Sequence, residues 1–286
     1  MNKNKYIVLG MLLVLLVGFV PIDNALSARK AMHVLATMGS KAWIAFNSDI
    51  ASKRVKRVTK FGYNKTISSG TAEVLASFGG GFLQRALGAE TLTIVSTDAD
   101  DNSSGTGGRQ LLISCIDEDG LEVSVVAALN GATPVVTTQT CKFVNRAVLF
   151  LAGSSRTNEG TISIVQTTSG VQLAEIPIGR SSTQQLMYYV PSDRRCYIDS
   201  VTFTSLKLGG GSAPRLEVNF LVYSQTQDIV YDIRELLIDT SVTNEINIGD
   251  FKSDPLRPNE IITLDVLSDQ NSTQVTGSME LTCRLD

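Results

Sequence analysis

The stretch TLTIVSTDADDNSSGTGGRQLLISCIDEDGLEVSVVAAL, Thr91 to Leu129, decides the fold class. Its apolar runs are divided by a Gly/Asp/Ser loop and then by a tight Asp119-Gly120 turn. Leu121, Val123 and Val125 alternate with Glu122 and Ser124, the two-residue period of a strand with one buried face. Asp-Gly between two such runs signals a hairpin, because glycine accepts the positive φ that a tight turn demands.

Working outward, the same grammar continues to the C-terminus. It predicts strands over 91–96, 109–117, 121–129, 143–151, 161–166 and 171–177, and then over 184–190, 195–206, 215–224, 228–238, 245–250, 260–267 and 275–285. Leu216, Val218, Phe220 and Val222 alternate with Glu217 and Asn219, and Ile262, Leu264 and Val266 with Thr263 and Asp265. Short strands, evenly spaced turns and almost no helical periodicity indicate a mainly β protein. The expected architecture is two consecutive antiparallel β-sandwich units, 90–180 and 181–286, the second jelly-roll-like. They lie behind a hydrophobic leader helix (1–28) and a basic arm with a Gly-rich connector (29–89). Residues 90–286 are expected to fold without what precedes them.

Charge divides the chain. Residues 1–66 hold 11 Lys/Arg against two acids, a net +9, and the remaining 220 residues are net −12, so the overall −3 conceals a basic leader on an acidic body. Lys3 and Lys5 precede an uncharged apolar run from Tyr6 to Val20. As a helix this run is ~22 Å long against a hydrocarbon core of ~30 Å, a thin span when extended through Pro21 and Ile22. Tyr6, Ile7, Leu12, Leu13, Leu15, Leu16 and Phe19 are its anchoring side chains. Ala25-Leu26-Ser27 resembles a cleavage site, so a removable signal peptide is the competing reading. Lys53, Arg54, Lys56, Arg57 and Lys60 crowd into nine residues, a basic contact for anionic lipid or protein. No aromatic interleaving directs this run to nucleic acid.

Chemistry is sparse. His33 is the one histidine, and it lies in the leader zone, outside the β body. That excludes Ser-His-Asp and multi-histidine metal arrangements there, and no catalytic residue, metal ligand or cofactor motif is assigned. Asp98, Asp100, Asp101 and Asn102 resemble a Ca²⁺ loop, but Ser103 and Arg109 stand where an EF-hand needs Gly and Glu. They are read, with Ser154, Arg156 and Asn158, as solvated partner-contact loops. Cys115, Cys141, Cys196 and Cys283 form no CxxC pair. Cys115 and Cys283 share faces with apolar neighbours and read as small buried hydrophobes, with disulfides left open.

Thr97–Arg109, Ile116–Gly120, Leu129–Thr138, Val144–Ala147, Gly153–Ile162 and Tyr188–Ile198 together resemble a β-rich structural protein type of aquatic double-stranded DNA viruses. The resemblance covers about residues 90–206 and rests on rhythm rather than on a catalytic signature. It implies a non-enzymatic virion component. The apolar leader departs from tailed-phage examples and fits a minor capsid protein that ties a shell to an internal membrane. The partners then implied are other capsid proteins and a lipid membrane, in an oligomeric shell. The alternative is a secreted or surface-anchored adhesion or carbohydrate-binding module, with 1–27 as its signal peptide.

Overall fold

A computed structural model describes residues 54–78, 88–208, 212–240, 245–249 and 254–286, which form β-strands and no helix. In chain order these are β1 (Val55–Ile67), β2 (Glu73–Val74), β3 (Glu90–Ser96), β4 (Gly108–Ile116), β5 (Glu122–Ala128), β6 (Val135–Cys141), β7 (Phe143–Ala152) and β8 (Ile162–Gln166). They continue with β9 (Gln172–Ile176), β10 (Met187–Tyr189), β11 (Arg194–Lys207), β12 (Arg215–Ser224), β13 (Ile229–Asp239), β14 (Glu245–Gly249), β15 (Glu260–Ser268) and β16 (Thr273–Leu285).

Two sheets are built from the middle of the chain, ordered β6-β3-β8-β9 and β5-β4-β7, with antiparallel neighbours throughout. Alternation aims Leu92, Ile94, Ile162 and Ile164 from one sheet, and Leu111, Ile113 and Ala147 from the other, into one shared core. The Asp119-Gly120 turn joins β4 to β5 as its sequence requires. Gly120 has φ +81°, a conformation that favours glycine, and a Cβ there would lie 2.5 Å from Asn259 Oδ1, which would have to move aside.

The other two sheets are ordered β1-β16-β11-β14 and β10-β15-β12-β13, with β2 pairing β15. Val201, Phe203, Met279 and Leu281 meet Val218, Phe220, Leu264 and Val266 in a second core. There the Phe203 and Phe220 rings pack edge to face, 5.9 Å between centroids. A smaller apolar cluster joins the two sheet pairs: Ile116 and Phe143 from the first against Val74, Met187, Tyr189, Tyr223 and Ile261 from the second.

Three expectations change. The basic run is not an arm: Lys56, Arg57 and Lys60 lie on β1, hydrogen-bonded beside β16. A boundary at residue 90 would therefore cut β1 and β2 away from the sheets they complete. Second, β6 was not anticipated. Third, Cys115 and Cys283, read as small buried hydrophobes with disulfides left open, are buried and also paired, with Cys141 and Cys196 respectively. The first bond crosses from β4 to β6 and so joins facing sheets, whereas the second links directly opposed residues of β11 and β16. The leader (Tyr6, Ile7, Leu12, Leu13, Leu15, Leu16, Phe19), Lys53 and the Gly79–Gly81 connector lie outside the described residues. Among the described residues no helix is long and apolar enough to cross a membrane.

Candidate functional site

The loops expected to contact partners divide into a buried part and an exposed part. Asp101 is fully buried. Its carboxylate accepts bonds from Ser96 Oγ at 2.6 Å, Gly108 N at 2.6 Å, and Glu159 N and Gly160 N at 2.9 Å each. Asn158 is 1% exposed, donates to the carbonyls of Gly160 and Pro177, and accepts from Ser181 N. These two residues hold the 97–108 and 152–160 loops together and are not available to a partner. Asp98 and Asn102 are half-buried, and Asp100, Ser154 and Arg156 are exposed. Asp98 and Asp100 come together with Glu159 as a carboxylate cluster, no nearer to a defined metal site than exposed acids commonly are.

The basic run contributes to a cleft that the sequence did not disclose. β1 lies across the outer face of the β5-β4-β7 sheet, enclosing about 330 Å³ lined by Lys56, Lys60, Ser114, Glu122, Arg146 and Tyr188 among others. Arg54 and Arg57 are exposed, as expected of a contact surface. Lys60 departs from that expectation, being only 4% exposed, with its ammonium donating to the Asn145 carbonyl. Burial, aided by the charges of Arg146 and Lys56 and opposed by Glu122, lowers its pKa to about 7. Glu122 forms an ion pair with Lys56 and accepts from Ser114 Oγ at 2.6 Å. Its own burial would raise its pKa, but the Lys56 charge and these hydrogen bonds outweigh that and hold it below the usual range.

Asn145 fixes the floor of the cleft. It accepts from Tyr189 N at 2.9 Å and donates to Tyr189 O at 3.1 Å, tying β7 to β10. Next to it, Tyr188 is 1% exposed, and its hydroxyl has no hydrogen-bond partner among the described residues. Burial raises its pKa, and the Glu122 charge adds to the rise.

Two sheet surfaces also leave large apolar side chains in water. Among the described residues β13 ends its sheet, and it exposes Ile229, Val230, Tyr231 and, at 77%, Leu237. On the β5-β4-β7 sheet, Val126 and Phe150 are exposed beside the cleft. Apolar alternation locates strands but does not say which sheet edge or outer face a neighbour leaves open, so these surfaces carried no sequence signal.

No protein-family model matches the chain, and no curated protein does. Among solved structures it is similar to the chain in the 2.6 Å structure of Infectious Bursal Virus derived T=1 particles. That alignment has 9% identity and a TM-score of 0.17, and covers 81% of this chain and 74% of that one. The structure of infectious bursal disease virus Gt strain aligns at 9% identity and TM-score 0.12, covering 81% of each chain. These are distant likenesses to β-rich viral particle proteins, too slight to bear on function.

Proposed function

We propose that the chain is a non-enzymatic virion component, a minor capsid protein that cements neighbouring shell subunits and ties them to an internal membrane. Two stacked β-sandwiches, the second jelly-roll-like, would form its body. The observation that carries this reading is β13, eleven residues long, at a sheet edge, with Ile229, Val230, Tyr231 and Leu237 presented to solvent. A sheet edge of that length is a pairing hazard where it carries exposed apolar side chains, even with Asp232, Arg234 and Glu235 among them, unless another protein covers it. The exposed Phe150 and Val126 on a different sheet give a second contact surface, as a bridging component requires. The apolar run Tyr6–Val20 supports the membrane tie, and the resemblance of residues 90–206 to virion proteins of aquatic viruses supports the setting.

A secreted adhesion or carbohydrate-binding module is the second reading, and the two disulfides favour it. Such bonds persist in oxidising compartments, where residues 1–27 would have served as a signal peptide. Intact-mass measurement on protein from its native source separates the two. A mass that includes residues 6–22, in material that stays with membrane-containing particles through a carbonate wash, is expected. A mass beginning near Arg29, in protein free of particles, would overturn the virion reading.

A further inference from the structure

We propose that the cleft between β1 and the outer face of the β5-β4-β7 sheet is a binding site for a phosphoryl group. Lys60 and Arg146 line it as cations, beside the Lys56–Glu122 ion pair that holds its single carboxylate. Lys56 already neutralises Glu122, so Lys60 and Arg146 leave an excess of positive charge in the cleft, on a body that is otherwise acidic. A monovalent carboxylate would leave part of that excess uncompensated, whereas a phosphoryl group carries up to two charges and three acceptor oxygens.

An independent observation points the same way. Tyr188 lines the cleft, is almost wholly buried, and has a hydroxyl with no partner among the described residues. A buried hydroxyl without a bond is destabilising, and a phosphoryl oxygen is an acceptor that would complete it. The cavity of about 330 Å³ matches a small polar headgroup or a phosphate ester rather than a polymer.

Lys60 makes the site chemically distinctive. It faces Lys56 on its own strand, Glu122 on β5, Asn145 and Arg146 on β7, and Tyr188 on β10. Desolvation and the two neighbouring cations leave its ammonium only half protonated near neutrality. A bound anion reverses that balance, so Lys60 takes up a proton on binding. A surface lysine, already charged, would take up none. The site does not depend on the virion reading, since a phosphoryl group is offered by anionic lipid headgroups and by soluble phosphate esters alike.

The test is calorimetric titration of the full-length protein with inorganic phosphate near neutral pH, in two buffers of different ionisation enthalpy. Sodium chloride at matched ionic strength is the control. Saturable one-to-one binding is expected, weakened at least tenfold by Lys60→Met and by Arg146→Gln. Phosphate bound as the dianion itself gives up a proton, so uptake by Lys60 is read as the difference in proton exchange between the parent and Lys60→Met. Because Lys60 is buried, Arg146→Gln is the deciding variant: its side chain is exposed, and its unfolding temperature should match the parent. Phosphatidylglycerol vesicles, scored as binding beyond that to phosphatidylcholine vesicles, identify the source. Excess binding that inorganic phosphate competes away assigns a lipid headgroup, and phosphate binding without such excess assigns a soluble ester. Absence of saturable phosphate binding, or binding unchanged in Arg146→Gln and matched by chloride, overturns the site.

Discussion

Asp101 shows why an acidic loop in the sequence need not be a surface. One carboxylate collects four donors from three chain segments, and three of those donors are backbone N–H groups that nothing else nearby replaces. Asp101→Ala is expected to lower unfolding free energy by about 3 kcal/mol or more, because each stranded buried donor costs roughly 1–3 kcal/mol. Asp100→Ala, exposed in the same loop, should cost almost nothing. Urea unfolding of the two variants side by side checks this, and equal small losses would mean that water substitutes for the carboxylate. Asp265 works in the opposite direction. It is 9% exposed, its Oδ1 has no partner among the described residues, and burial lifts its pKa to about 6, against a hydrogen bond from Asn219. The folded-state pKa lies above the unfolded value, so the native state holds the proton more tightly. Its stabilising contribution is complete below about pH 4 and is lost as pH rises through about 6. Asp265→Asn should therefore be more stable than the parent at about pH 8, on the order of 1 kcal/mol, and indistinguishable at about pH 4. Thermal melts at the two pH values decide it. An Asn variant no more stable at pH 8 would show that the carboxylate is solvated in solution.

Strands were legible wherever their inward positions were apolar, and invisible where they were not. Residues 215–224 were read to the residue, because Leu216, Val218, Phe220 and Val222 all point into one core. β1 was read as an arm because its buried positions include Lys60, Gly62 and Asn64, which carry no hydrophobic period. β6 was missed for the same reason: its inward residues are Thr137, which accepts from Leu92 N at 2.9 Å, and Cys141. The cleft was illegible in turn, since Lys60, Glu122, Arg146 and Tyr188 meet only once β1 is known to be a strand. Cysteine pairing was equally hidden, as Cys115 and Cys141 lie on sheets whose facing arrangement no spacing encodes. Both bonds should matter, and unequally. Bridges closing 26 and 87 residues restrict the unfolded chain by roughly 3.5 and 4.6 kcal/mol in the chain-entropy account. Replacing Cys196 and Cys283 together with Ser should lower stability more than replacing Cys115 and Cys141. The reverse order, measured by denaturant unfolding, would mean that holding two sheets face to face outweighs loop length.

The largest change from the sequence reading concerns where the folding body begins. Residues 55–76 do not lead up to the second sheet pair but complete it. β1 borders β16, β2 borders β15, and Leu75, fully buried, donates to Leu264 O at 3.0 Å and accepts from Leu186 N at 2.8 Å. Deleting this segment would expose Leu186 and Phe203 and leave the β15 and β16 edges unpaired in water. It would also remove Val74 and Ala76 from the cluster that joins the two sheet pairs, and with it the apolar contact between them. Burial of Ile67, Val74 and Leu75 alone contributes on the order of 5 kcal/mol, comparable to the 5–15 kcal/mol that separates a typical domain from its unfolded state. A protein comprising residues 54–286 is therefore expected to be soluble and to melt cooperatively. One comprising residues 90–286 should aggregate, or keep far-UV β signal while losing near-UV dichroism and binding a hydrophobic dye. Expressed in parallel under oxidising conditions, the two lengths give a direct comparison. Should the shorter protein melt cooperatively within a few degrees of the longer, β1 and β2 would be accessory strands and residue 90 a true domain boundary.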